Sequence, residues 1–247
     1  MIDRFKEPSM IKINPSVLIF LDILTTLLVI IAIAMVFFYA PVEAVMGDVQ
    51  KVFYFHVASL WVGMLGFLVA AAASIFYLRT NRNIWDLIAV SSVEISLVFF
   101  LTGIITGSIW ARPVWNTWWT WDPRLTSAAI VELVYAAYII LRQSIETPGK
   151  QARFAAVYAI AAFISVPLTF ISIRLLRTIH PVVIGDISAS ITGSFDMTPA
   201  MLQTFFMSLI AFSFLFVDLL WHRVILETLK ETVGDLGMAV GRPKGGW

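Results

Sequence analysis

The chain has 247 residues, 60% of them hydrophobic and 13% charged, with a mean hydropathy of +0.88. A soluble domain carries about twice that charged fraction and a disordered chain is far less apolar, so both classes are excluded and the implied solvent is lipid. A net charge of +1 leaves no positive excess for a nucleic-acid backbone, and the absence of cysteine excludes disulfides, thiol chemistry and zinc–thiolate sites.

Six apolar runs reach the length of a membrane span: Val17–Ala40, Val57–Leu78, Leu87–Trp110, Leu125–Leu141, Phe154–Ile173 and Met201–Trp221. The first is too long for a signal-peptide core and no small-residue cleavage site follows it, so it reads as a span. Asp122-Pro123 before the fourth and Thr198-Pro199 before the sixth fit an N-cap followed by proline at the first helical position. Pro167 predicts a kink in the fifth. The fold class is therefore all-α, a polytopic bundle of six transmembrane helices over residues 1–222, followed by a cytoplasmic tail, 223–247, that starts as a charged helix.

Basic residues orient the bundle. Of the 17, twelve fall in the N-terminus, the second and fourth connections and the C-terminus, while the other three connections hold Lys51, Arg112, Arg124, Arg174 and Arg177. Both termini of the multi-pass chain are expected in the cytoplasm, with three connections on the outer face. These are 41–56, 111–124 and 174–200, and they hold most of the unusual residues. In the first, Val42, Val45, Met46, Val49, Val52 and Phe53 fall at helical spacing and predict a short interfacial helix leading to His56.

Five of the nine tryptophans lie between positions 110 and 121. That concentration exceeds an ordinary aromatic belt and predicts a flat stacking platform for a large planar apolar guest. Arg112 and Arg124 flank the platform and suit carboxylates on that guest. Asp122 also reads as the cap of the fourth helix. His56 and His180, two of three histidines, fall on the same outer side, and Arg174, Arg177 and His180 are three apart. Paired imidazoles with aromatic surface and cations nearby are what a haem with its propionates needs. The third, His222, reads as a solvated helix-end residue.

The run Trp115-Asn116-Thr117-Trp118-Trp119-Thr120-Trp121-Asp122-Pro123-Arg124-Leu125-Thr126 resembles the signature of the WWD haem-handling proteins, W-G-x-x-W-x-W-D-x-R-L-T, with Asn116 at the glycine position. With six spans and a histidine in each flanking outer connection, the chain up to about Trp221 is similar to the CcmC family of cytochrome c maturation. CcmF and the CcsA-type synthetases share the signature but have more spans. The resemblance implies that haem (b-type, held transiently) lies at the outer face with His56 and His180 as axial iron ligands. Trp115, Trp118, Trp119, Trp121 and Asp122 would hold its edge, with Arg112, Arg124, Arg174 and Arg177 as the nearby cations. It further implies an ABC-type complex with CcmA, CcmB and CcmD, and delivery of haem to the chaperone CcmE. The chain itself holds no G-x-x-x-x-G-K-[ST] motif and no nucleophile–base arrangement, so it reads as a binding and transfer protein rather than an enzyme.

Four carboxylates lie within spans, where ionisation is costly. Asp22 and Asp218 sit near the cytoplasmic ends, within reach of Lys12 or Arg223. Glu94 and Glu132 are deeper, either protonated, bonded to each other or lining a polar crevice. Gly103 and Gly107 read as a close-packing pair. Two other functions are open to such a chain. A redox subunit linked to haem or quinone would hold its histidines within spans, and a secondary transporter would show repeats and broken helices at the midplane.

Overall fold

The computed structural model describes residues 14–43, 46–181 and 197–239. The N-terminal basic residues, Val45, the stretch 182–196 of the last outer connection and the final residues 240–247 lie outside that description, as does the side chain of Arg174.

Among the described residues, seven α-helices form six helices long and apolar enough to cross a membrane. Asn14 caps α1 (Pro15–Ala34), its side chain accepting from the Ser16 N–H, and a π-helical turn over Met35–Tyr39 extends it. Next come α2 (Gln50–Thr80), α3 (Asn83–Trp115) and α4 (Pro123–Gln143). The fifth span is two helices, α5 (Pro148–Phe163) and α6 (Ser165–Leu175), broken at Ile164. The expected kink at Pro167 is thus a break one turn earlier. Proline has no N–H to give the carbonyl four residues back, which here belongs to Phe163, and its ring crowds that carbonyl. The last span, α7 (Pro199–Ala239), continues unbroken into the charged segment after Trp221.

The interfacial helix expected before His56 is not formed as a separate element. Gly47 takes a left-handed φ of 60°, Glu43 and Gly47 make an isolated bridge, and the Glu43 carboxylate accepts from the Met46 N–H. These turn bonds compete with helix, so among the described residues of the expected stretch only the end, from Gln50, is helical, and it is the first turn of α2. At the neighbouring boundary α3 runs to Trp115 rather than Trp110. Pro113 is tolerated in its last turn, and Asn116 ends it at φ 55°, ψ 22°. Asparagine is among the few residues that visit this conformation, which glycine adopts without cost; the signature's glycine position is therefore this left-handed cap.

α2 and α3 form the centre, where Phe67 of α2 stacks on Tyr135 of α4 at 3.6 Å and 10°. Lipid tails are as apolar as leucine, so helices in a bilayer associate through close packing. α5 meets α2 through a buried small-residue stripe, Ala152, Ala155, Ala156, Ala159 and Ala162. α1 leans on α7 and buries only Thr25 and Ala32 among its own residues.

Several charges within the spans find partners. Arg142 and Asp86 form a two-pronged pair at 2.7 and 2.5 Å. Glu94 is bonded not to Glu132 but to Arg223, at 2.9 Å from Nε and 2.7 Å from Nη2. Glu132 keeps a buried Oε2 with no hydrogen bond. His222 lies within α7, half exposed, between Asp22 at 3.6 Å and Asp218 at 3.2 Å. By helix alternation, α2 begins, α3 ends, α4 begins, α6 ends and α7 begins at one end of the bundle, which gathers the tryptophan loop and both outer histidines there.

Candidate functional site: two histidines and a tryptophan wall

His56 lies in the second turn of α2 and is buried. Its ring occupies the place where α3 has no side chain: a Cβ on Gly107 would stand 2.6 Å from the imidazole Cε1 and 2.8 Å from Nδ1. One turn earlier on α3, the Gly103 carbonyl lies 2.7 Å from Nδ1. A carbonyl only accepts, so Nδ1 carries the proton and Nε2 keeps its lone pair. The glycine pair thus has a second role beyond packing helix on helix: it seats and orients a ring.

His180 reaches the same place from the short segment after α6. Its Nδ1 stands 3.0 Å from the Pro181 carbonyl, which again leaves Nε2 as the free acceptor. Burial, the Arg124 guanidinium and the neighbouring His56 lower its pKa to about 3, so the ring is neutral, as a metal ligand must be. Metal-ligating imidazoles characteristically give their other N–H to a carbonyl or carboxylate, and both of these do.

The two ring centres are 6.4 Å apart with 41° between their planes. A metal takes an imidazole nitrogen at about 2 Å, and each ring centre lies about 1 Å behind its nitrogen, so two rings sharing one metal have centres roughly 6 Å apart. The separation of the two ring centres is therefore that of two imidazoles sharing one ion.

A recess of about 500 Å³, counting the open solvent at its mouth, surrounds the pair. Its walls are mostly apolar and aromatic: Leu60, Ile104, Ala111, Leu125 and Ala128 with Trp110, Trp115, Trp118 and Trp119. Trp115 stands edge-on to Trp110 at 5.4 Å and to His180 at 6.2 Å. One cation lines the recess, Arg124, with its guanidinium 5.8 Å over the Phe170 ring and no ion pair among the described residues.

The remaining expected residues lie elsewhere. Trp121 is 80% exposed and edge-on to Trp119 at 6.0 Å. Arg112 is exposed on the last turn of α3 and donates to the Asn116 side chain. Arg177 is exposed and outside the recess. Asp122 does not line the recess either. Its Oδ1 caps α4 by accepting from the Arg124 N–H at 2.9 Å and accepts from the Thr178 hydroxyl at 2.6 Å, while Oδ2 accepts from the Ile179 N–H at 2.9 Å. Burial opposes charge on Asp122, but these three donors outweigh it and hold the carboxyl below its usual pKa. Sequence reading missed Gly107, Ala111 and Thr178 as parts of the site. The small residues Gly103, Gly107 and Ala111, four apart and ending at the tryptophan loop, were the available signal.

Residues 1–238 match the family model of Heme exporter protein C. The chain belongs to the Heme exporter protein C family. A member from Bradyrhizobium diazoefficiens is 31% identical over 199 residues, covering 81% of this chain and 74% of that one. The Escherichia coli K12 member is 27% identical over 213 residues, 83% of each. A putative cytochrome c biosynthesis ccmC-like mitochondrial protein of Marchantia polymorpha is 28% identical over 141 residues, 57% of this chain and 59% of that one. The shared region takes in this multi-pass helical bundle.

Proposed function

We propose that this Heme exporter protein C family member holds haem as cargo in the recess, with the iron between His56 and His180. Trp115, Trp118 and Trp119 lie along the macrocycle, and Arg124 meets a propionate. The observation that carries this reading is the pair of imidazoles, centres 6.4 Å apart, each with Nδ1 at a carbonyl and no hydrogen bond to Nε2 among the described residues. Bound haem supplies the iron and two carboxylates; the chain binds, orients and shields it. Non-covalent holding suits a b-type haem that must leave again.

The site end is the outer face of the inner membrane, with both termini in the cytoplasm, as the basic-residue distribution directs. There the open mouth and the exposed Trp118 and Trp121 present haem to the chaperone CcmE, within a complex with CcmA, CcmB and CcmD. The test is the visible spectrum of purified protein expressed with ample haem. Wild type is expected to show a Soret band, and His56→Ala and His180→Ala to lose most of it. Wild-type protein without the band, or both variants with a full one, overturns the proposal.

A further inference from the structure

The two histidines are supported by different kinds of structure. His56 is on a helix packed into a second helix, whereas His180 is on a short segment that is neither helix nor strand. Something must fix that segment, and the structure shows what does. The Thr178 hydroxyl donates to Asp122 Oδ1 at 2.6 Å. The same hydroxyl oxygen accepts from the His180 backbone N–H at 3.1 Å. Between them, the Ile179 N–H donates to Asp122 Oδ2 at 2.9 Å. One hydroxyl thus links the histidine's own backbone to the carboxylate that ends the tryptophan loop, and that carboxylate is in turn fixed as the cap of α4.

We infer that Thr178 is the positioning residue for His180: with Asp122 it latches the histidine segment to the tryptophan loop, so the second imidazole stands where the loop places it. Thr178 is the only side chain in the chain of bonds between that segment and Asp122 among the described residues. A hydroxyl is required there, because one and the same atom donates to one partner and accepts from another, and of the uncharged small side chains only serine and threonine do both strongly through a single atom. Valine has the shape of threonine but neither capacity, and serine keeps both. The inference rests on His180 being a ligand of the cargo for its purpose, but not for its geometry.

The experiment uses full-length protein in detergent and reads two quantities. The first is amide hydrogen exchange across 176–181 without haem, in wild type, Thr178→Val and Thr178→Ser. Losing hydrogen bonds of ordinary net strength predicts about tenfold faster exchange at Ile179 and His180 in Thr178→Val, with Thr178→Ser close to wild type. The second is the spectrum of the haem-loaded proteins. Thr178→Val is expected to shift from six- to five-coordinate iron, retaining His56, and Thr178→Ser to stay six-coordinate. Unchanged exchange in Thr178→Val, or serine as open as valine, overturns the latch. Faster exchange with the six-coordinate spectrum kept also overturns it, since the segment would be loosened without moving the ligand. A wild type that takes up no haem while valine alone speeds exchange overturns the haem reading and leaves the latch standing.

Discussion

His56 and His180 meet in one recess, yet they are built differently. His56 is placed by helix packing: its ring fills a gap at Gly107, and the Gly103 carbonyl fixes its tautomer. Moving it means moving α2 against α3, the most closely packed pair in the bundle. His180 is placed by three hydrogen bonds that tie its segment to Asp122, two through the Thr178 hydroxyl and one from the Ile179 N–H, each worth about 1–3 kcal/mol net. A site that must accept a guest and later release it gains from this asymmetry. On the proposed haem-binding reading, His56 would keep its place while His180 would lie within reach of forces that a partner on the exposed tryptophans supplies.

Substitutions can test the contrast. The largest effect is expected from Gly107→Ala. Its new methyl would meet the His56 ring at 2.6 Å, displacing the ring or the helix and lowering haem affinity roughly a hundredfold, as read by haem titration. If affinity holds, His56 is not fixed by that seat. Next comes Asp122→Ala, which removes an N-cap and both anchors of the His180 segment. We expect a stability loss of about 1–2 kcal/mol in thermal unfolding, together with five-coordinate iron.

Arg124→Gln is expected to weaken haem binding roughly tenfold, from the loss of one charge-assisted bond. The same substitution should leave the affinity for a haem whose propionates are esterified nearly unchanged. Equal losses for both forms would place Arg124 outside propionate recognition. The smallest effect belongs to Trp121→Ala. Its ring is 80% exposed and outside the recess, so the affinity of the isolated protein for haem should be unaltered, while transfer to the chaperone should slow.

The sequence makes the six spans legible because apolar length is a strong one-dimensional signal. It also exposes the caps at Asp122-Pro123 and Thr198-Pro199, since capping chemistry is local, and α4 and α7 start there. His56 and His180 are legible as a pair through scarcity and the shared side. Several features are not legible because they depend on contacts between distant segments. The Glu94–Arg223 pair joins α3 to α7, and no local rule selects Arg223 over Glu132. The seat for His56 appears in the sequence only as two glycines, which close packing explains equally well. Asp122 reads as a haem contact or a cap, whereas the structure has it capping α4 and also holding the residues before His180, a role visible only when positions 122 and 178 are brought together. The turn at Gly47 defeats the helical spacing of 42–53 because one left-handed residue and one side-chain bond suffice to end a helix there.

The central claim, that a seated imidazole and a latched one grip a single iron from two sides, is tested most directly by electron paramagnetic resonance of the ferric haem-loaded protein. The wild type is expected to give a low-spin signal of two imidazole ligands, with His180→Ala converting to a high-spin signal of a single imidazole and His56→Ala losing the haem. A His180→Ala protein that keeps the wild-type low-spin signal would contradict it.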